Sequence, residues 1–314
     1  MDQIVVIANP VASQFTGGAH RDVMARLSAN HEVEALWPGS AAEATAAAIQ
    51  AVEDGASVVV AMGGDGMVHH VAQGLIGTDT ALGIVPVGTT NVVARLFSIP
   101  SRHNKAARLI AEGAPPRRVG TARLTLERGN TRTEHYAVFA CGVGLDAEVV
   151  RVADQDPYRK YRMGSLHYAR SALSVGFRQY PKVRPHVRFS ADDREAMGTS
   201  GLVQFREIYT YFGRIPLRFC EEAPDPMSVL IIDRMRRRRI PGIFFRALAQ
   251  RDLDGVKGFE IWHNVKSLQF EADPPVAAQA DGEGLGLCDG GEVEWVPDSL
   301  LIVAGASSSE DGVS

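Results

Sequence analysis

The stretch from Ser57 to Leu75 constrains the fold of this chain more than any other. An apolar, β-branched run from Ser57 to Ala61 ends in Gly63-Gly64-Asp65-Gly66, and a helix-like segment from Met67 to Leu75 follows at once. Glycines at a strand-to-helix junction let the backbone take φ > 0, approach a ligand closely and present the free N–H groups of the next helix to an anion. A carboxylate in such a turn is unfavourable unless it meets a metal ion, a basic side chain or a hydroxyl about to lose its proton, which singles out Asp65. The unit recurs soon afterwards: the run Ala81 to Val87 opens into Gly88-Thr89-Thr90-Asn91, and a helical pattern covers Val92 to Phe97. A third, weaker turn follows Gln3 to Ala8, where Asn9-Pro10 leads into a polar loop reaching Gly18. Three such strand ends place polar backbone at the carboxyl edge of a parallel sheet, where open α/β folds bind ligands. No G-x-x-x-x-G-K-[ST] string occurs, so a nucleotide here uses a different cradle.

Residues 3 to about 124 alternate Val/Ile/Ala-rich runs with Ala-rich helical stretches such as Glu43 to Val52, the pattern of a doubly wound parallel domain. From about 125 the chain changes to longer alternating strands, Arg123 to Glu127, His135 to Ala140 and Val203 to Tyr209. Helical insertions are expected near 145–180 and 240–251. With 314 residues, 45% of them hydrophobic, the chain exceeds the roughly 250 residues at which single cores stop growing, so two domains are expected. The polar tail from Ser307 to Ser314 reads as disordered. No apolar run approaches the roughly 18 to 20 residues that span a bilayer, and Asp2 followed by a strand is no leader peptide; a cytoplasmic protein is expected. Cys141, Cys220 and Cys288 are odd in number and widely spaced, which suits reduced residues rather than a disulfide framework or zinc site. Gly142, Gly144 and Ala147 match the dinucleotide fingerprint by letter, but no βαβ unit or ribose-binding acid accompanies them.

Together these motifs resemble the diacylglycerol kinase and sphingosine kinase catalytic-domain superfamily of lipid kinases, whose nucleotide domain is similar to that of NAD kinases. The resemblance is carried by Asn9-Pro10, Gly63 to Gly66, Gly88-Thr89-Thr90-Asn91 with Ala94-Arg95, the run Gly142 to Ala147, and Ala280-Asp281-Gly282-Glu283. The basic segment Lys160 to Tyr168 resembles the start of a second-domain helix in lipid kinases rather than in NAD kinases. It implies an NAD kinase-like α/β nucleotide domain, residues 1–124 plus about 298–314, and a β-rich, β-sandwich-like lipid-substrate domain, residues 125–297. The run Leu300 to Val303 would return to the first of these. Departures from the pattern are Met67 for Thr, His70 for Glu, Val92 for Asp, and a loop after Pro10 that lacks Ser-Gly; Ser13 or Thr16 could substitute there.

The implied activity is ATP- and Mg²⁺-dependent phosphorylation of a lipid hydroxyl, such as that of diacylglycerol. Phosphoryl transfer rests mainly on positioning and charge neutralisation, with a base for the acceptor hydroxyl. The implied base is Asp281, with Glu283 two residues on to share its roles; Asp65 is the runner-up. Asn9, Pro10, Ser13, Gly63, Gly64, Asp65, Gly66, Met67, Gly88, Thr89 and Asn91 would hold the nucleotide. A structural Mg²⁺ loop would draw on Glu222, Asp225 and the carbonyl of Met227, with Pro226 in place of a usual Gly. Ceramide or sphingoid-base kinase, NAD kinase and a regulator that has lost turnover are the alternatives.

The net charge of −4 conceals a basic run, Arg234, Arg236, Arg237, Arg238 and Arg239, followed by Ile243, Phe244, Phe245 and Leu248. Arginines beside an apolar edge suit an anionic membrane surface better than nucleic acid. Arg159, Lys160 and Arg162 form a smaller basic cluster. A peripheral protein of the inner membrane surface is expected, and a homodimer is left open.

Overall fold

The computed structural model describes residues 2–154, 183–212, 215–220, 226–234, 236–249 and 253–305. The chain divides into two compact units, Met1–Thr121 with Pro297–Ser314, and Ala122–Val296. The segment 155–182, the loop residues Glu222 and Asp225 and the tail 307–314 lie outside the described residues.

The first unit contains β1 (Gln3–Ala8), α1 (Gly17–Leu27), β2 (Glu32–Leu36), α2 (Ala41–Glu53), β3 (Val58–Gly63), α3 (Asp65–Leu75), β4 (Ala81–Pro86), α4 (Val92–Leu96) and α5 (His103–Ala111). Its strands run parallel in the order β4-β3-β1-β2, with Val5 opposite both Val59 and Glu34, and Val59 opposite Leu82. Ile4 to Ala8, Val59 to Met62 and Ala81 to Pro86 are buried, as strands covered on both faces must be. Helix α2 turns Ala44, Ala48 and Ala51 inward. These small residues let it approach α3 until a Cβ on Gly74 would lie 2.8 Å from that of Ala48. Thr16 caps α1 by accepting Ala19 N–H at 3.0 Å, and Ser40 caps α2 by accepting Glu43 N–H at 3.2 Å. The run Leu300 to Val303 joins this unit, with Ile302 opposite Leu82 in parallel.

The second unit is built on antiparallel pairs. Along the chain come β5 (Pro116–Arg128), β6 (Thr131–Ala137), β7 (Ala140–Val143), α6 (Leu145–Asp154), β8 (Val187–Ala191), β9 (Arg194–Gly198), β10 (Ser200–Gln204), β11 (Thr210–Phe212) and β12 (Ile215–Leu217). Then follow β13 (Ser228–Ile232), a 3₁₀ turn (Arg237–Arg239), α7 (Ile240–Leu248), β14 (Phe259–Trp262), β15 (Ser267–Ala280) and β16 (Glu283–Val303). The strand order is β14-β13-β10-β7-β15-β16, with β8 added to β15 and β9 to β8, and β5 added to β16 and β6 to β5. Phe189, Val203, Met227, Ile231, Trp262, Leu268 and Phe270 fill its core.

Two strands expected from alternation are shorter than their pattern. The run Val203 to Tyr209 leaves the sheet after Gln204. The buried amide of Gln204 turns the chain there, donating to the Arg206 carbonyl at 3.0 Å and accepting Phe219 N–H at 3.1 Å. The run His135 to Ala140 breaks at Val138 and Phe139, whose N–H groups point to a side chain instead of a neighbouring strand. The fingerprint glycines also serve packing. β7 is antiparallel to both neighbours, which no dinucleotide βαβ unit allows, and Gly144, at φ +89, passes so close to the Thr199 carbonyl that a Cβ would collide.

Candidate active site

The turns that follow β1, β3 and β4 converge at the carboxyl edge of the parallel sheet. Asn9 N–H donates to the Met62 carbonyl at 3.0 Å, and Asn9 Oδ1 accepts Val11 N–H at 3.0 Å, which fixes the first loop and leaves Nδ2 as the group this side chain can offer. Gln14 seals that loop onto the third turn: its N–H reaches the Val87 carbonyl at 2.9 Å and its Nε2 the Gly88 carbonyl at 2.8 Å. Ser13 Oγ lies 3.0 Å from Thr89 Oγ1, both exposed, whereas the Thr16 hydroxyl is engaged in capping α1; Ser13 is therefore the hydroxyl at this edge. Gln14 had no signal in the sequence, because its role depends on a contact seventy-four positions away.

The glycines act through space, not through φ. Gly64 has φ −96, and Gly63, Gly66 and Gly88 are likewise absent from the positive-φ positions among the described residues. This corrects the expectation of φ > 0 in the cradle. A Cβ on Gly63 would sit 2.5 Å from that of Met67, and one on Gly88 would sit 2.5 Å from Gly64 Cα and 2.7 Å from Asn91 Oδ1. The two turns are thus in backbone contact, and only glycine permits it. The left-handed residue is Asn91, φ 49, whose side chain accepts Gly88 N–H at 3.1 Å and donates to the Gly88 carbonyl at 2.9 Å.

Helix α3 begins at Asp65 itself, two residues before the helix-like run in the sequence, with Gly64 as N-cap and no side-chain cap. Its first-turn amides, at Asp65, Gly66 and Met67, have no acceptor within the helix and could hold an anion, Met67 through its N–H while its side chain is buried. Asp65 Oδ1 accepts Val93 N–H at 3.1 Å and so ties the second turn to the third. The cradle fits a nucleotide triphosphate: three loops of backbone donors, two hydroxyls, and a floor that a Cβ would fill. Phosphate-bound Mg²⁺, which keeps several waters beside the substrate phosphates, would be held here chiefly by the triphosphate oxygens. Val92 is buried, and burial followed by the charge of His69 pushes the His70 imidazole down to about 4, so both positions are uncharged at neutral pH.

Asp281 belongs to the second unit, in the two-residue turn between β15 and β16. Asp281, φ 54, and Gly282, φ 81, have the positive φ at both centres that a type I′ hairpin demands, with Ala280 paired to Glu283. The Asp281 side chain is only 3% exposed. Its carboxylate accepts N–H groups from Val138 at 2.8 Å, Phe139 at 2.9 Å and Ala140 at 3.3 Å, the amides freed by the break before β7. Behind the turn, Gln279 Oε1 accepts Gly282 N–H at 2.8 Å while its Nε2 donates to Asp146 Oδ2 at 2.5 Å, which also accepts Tyr209 Oη–H at 2.5 Å. Burial raises the Asp146 carboxyl, and these two hydrogen bonds oppose it. Glu283 is half-buried at the start of β16. The Met227 carbonyl accepts Val265 N–H at 2.9 Å; among the described residues no group of three or more His, Cys, Asp or Glu is placed to hold a metal ion.

Residues 3–122 match the model of the diacylglycerol kinase catalytic domain, and the resemblance read from the motifs is borne out. A diacylglycerol kinase of Mycobacterium tuberculosis (strain ATCC 25618 / H37Rv) is 34% identical over 107 residues, 33% of this chain and 35% of that protein. A protein of Xanthomonas axonopodis pv. citri (strain 306) named "Probable lipid kinase YegS-like" is 31% identical over 170 residues, 52% of this chain and 50% of its own. The chain spans between 35% and 57% of the length of the first such relatives. A crystal structure of a diacylglycerol kinase from Bacillus anthracis str. Sterne superposes with a TM-score of 0.67 at 17% identity, covering 97% of each chain. Yeast NADH kinase complexed with NADH gives 0.50 at 11% identity, over 99% of this chain and 85% of that one. These likenesses place the fold as an NAD kinase-like α/β unit with a β-rich second part.

Proposed function

We propose that the chain is an ATP-dependent lipid kinase that phosphorylates a hydroxyl of a membrane lipid such as diacylglycerol. The observation that carries this reading is the convergence of the Asn9, Gly63–Gly66 and Gly88–Asn91 turns on one carboxyl edge, inside the segment that matches the family model. The amides of Asp65, Gly66 and Met67 hold the triphosphate, Ser13 and Thr89 bond its oxygens, and Asn9 orients it from the first loop. Bound Mg·ATP supplies the transferable phosphoryl group. Asp65 takes the hydroxyl proton: its half-buried carboxylate stands at the phosphate cradle, whereas that of Asp281 is enclosed by three amides and fixes the turn carrying Glu283. The protein works at the inner membrane surface, docked through its arginine run. ATP consumption measured against micelles of diacylglycerol, ceramide and sphingosine, and against NAD, tests the reading. Turnover with diacylglycerol is expected; turnover with NAD alone, or ATP binding without any turnover, overturns it.

A further inference from the structure

Exposed large apolar side chains are few in the first unit: among its described residues they are Val11, Trp37 and Ile49. Two of the three stand at the nucleotide edge. Trp37, 47% exposed, follows β2, and since Leu36 pairs with Ile7, it lies level with Ala8, about 4.8 Å across from the residue preceding Asn9. Phe15, from the first loop, meets Trp37 edge-on with ring centroids 5.8 Å apart, and His20 of α1 backs it at 4.5 Å. Burial lowers the His20 pKa, and its buried Nε2 has no hydrogen-bond partner among the described residues, so the ring serves as a neutral wall. The position is held from both sides. Gln14, next to Phe15, is bonded to the Gly88 turn. Beyond Trp37, Gly39 N–H donates to Glu43 Oε2 at 2.8 Å as Ser40 caps α2, a reciprocal capping arrangement that fixes the chain leaving the indole.

We propose that Trp37, supported by Phe15 and His20, is the stacking platform for the purine base of the bound nucleotide. An aromatic face held rigid beside a phosphate cradle, yet left open to solvent, has little to gain for the fold and a planar ligand to gain for binding. Base–aromatic stacking lost on substitution by alanine corresponds to a change in affinity of about fivefold to about a hundredfold. This inference rests on the kinase reading and adds to it the residue that recognises the base.

Calorimetry with ATP and with inorganic tripolyphosphate, beside intrinsic fluorescence, separates the two. ATP is expected to quench the tryptophan emission of the unaltered protein, and tripolyphosphate to leave it unchanged. Trp37→Ala should weaken ATP by about fivefold or more and leave tripolyphosphate affinity as it was. Trp37→Phe should retain ATP affinity, because a ring still stacks, and abolish the quench, which assigns it to Trp37 rather than Trp262 or Trp295. Unchanged ATP affinity in Trp37→Ala, or equal losses for ATP and tripolyphosphate, would overturn the platform while the kinase reading stands. Failure of the unaltered protein to bind ATP at all would overturn both.

Discussion

Asp281 and Asp65 are both acids in glycine turns, and their surroundings differ. An Asp-Gly hairpin asks only for φ > 0 at its two centres. The enclosure of the Asp281 carboxylate by the Val138, Phe139 and Ala140 amides goes beyond that demand. Asp281→Asn faces these donors with an amide that can satisfy fewer of them, so we expect a loss of about 1 to 3 kcal/mol in stability, read as a lower Tm, together with reduced turnover. Asp65→Asn keeps an oxygen that can accept Val93 N–H, and we expect kcat to fall by roughly two to four orders of magnitude with a smaller Tm change. Loss of turnover in Asp281→Asn at an unaltered Tm would return the base role to Asp281. Both acids were legible in the sequence as candidates. The difference in their surroundings was not, because the amides that enclose Asp281 come from a strand break more than 140 positions away. His70 makes a pH prediction. Its folded pKa of about 4 lies below the ordinary 6.5, so within that window the unfolded chain binds the extra proton. Its stabilising share is complete above about pH 6.5 and is lost as pH falls toward 4. Urea unfolding at about pH 7.5 and about pH 5 should therefore show a smaller loss for His70→Gln than for the unaltered protein, and equal losses would remove His70 as a source of acid lability.

At the scale of elements, the parallel strands of the first unit and the helices behind them follow from the sequence because each local signal agrees with the others: buried β-branched runs, Thr16 and Ser40 at helix starts, small residues where α2 meets α3. The turns between them were located correctly and explained by the wrong property. Backbone freedom at φ > 0 belongs to Asn91, while Gly63 and Gly88 are needed because two turns touch. That distinction is invisible without the third dimension, and it sorts the glycines by consequence. Gly88→Ala drives a Cβ into Gly64 Cα at 2.5 Å, backbone against backbone; we expect a cost of about 1 to 3 kcal/mol and loss of nucleotide binding. Gly64→Ala places its Cβ 3.4 Å from Gly88 Cα at an ordinary φ of −96, so the fold should survive while the narrowed cradle binds ATP less tightly. Thermal melts with ATP calorimetry on both variants check this. A Gly88→Ala protein as stable as the parent would mean that the turns can separate cheaply. In the second unit the alternating pattern overran its strands at Gln204 and Val138, since a buried amide or carboxylate that captures backbone groups ends a ladder without altering the hydrophobic rhythm.

For the whole molecule, a net charge of −4 predicts indifference or repulsion toward an anionic bilayer, and only the distribution of charge argues otherwise. No helix among the described residues is long and apolar enough to cross a membrane. Arg234, Arg236 and Arg238 are exposed around the 3₁₀ turn that leads into α7, and Phe245 on that helix is 65% exposed. Arg239 differs: its guanidinium donates to the Lys257 carbonyl at 2.8 Å, a contact within the fold. The informative variant therefore changes Arg234, Arg236 and Arg238 to Gln and leaves Arg239 in place. At about 1 kcal/mol per charge as an upper bound, binding to phosphatidylserine-containing vesicles should weaken by up to about 3 kcal/mol at low salt, or about a hundredfold. Raising the ionic strength should mimic the substitutions, since exposed charges are screened over about 8 Å at physiological salt. Turnover on a short-chain, water-soluble diacylglycerol should stay near that of the parent, because the nucleotide loops contain none of the three arginines. Vesicle sedimentation beside soluble-substrate turnover for the same variant decides the matter. Equal losses in both would place the arginines in the fold or the catalytic machinery, and unaltered sedimentation would reduce them to a solvated run with no membrane role.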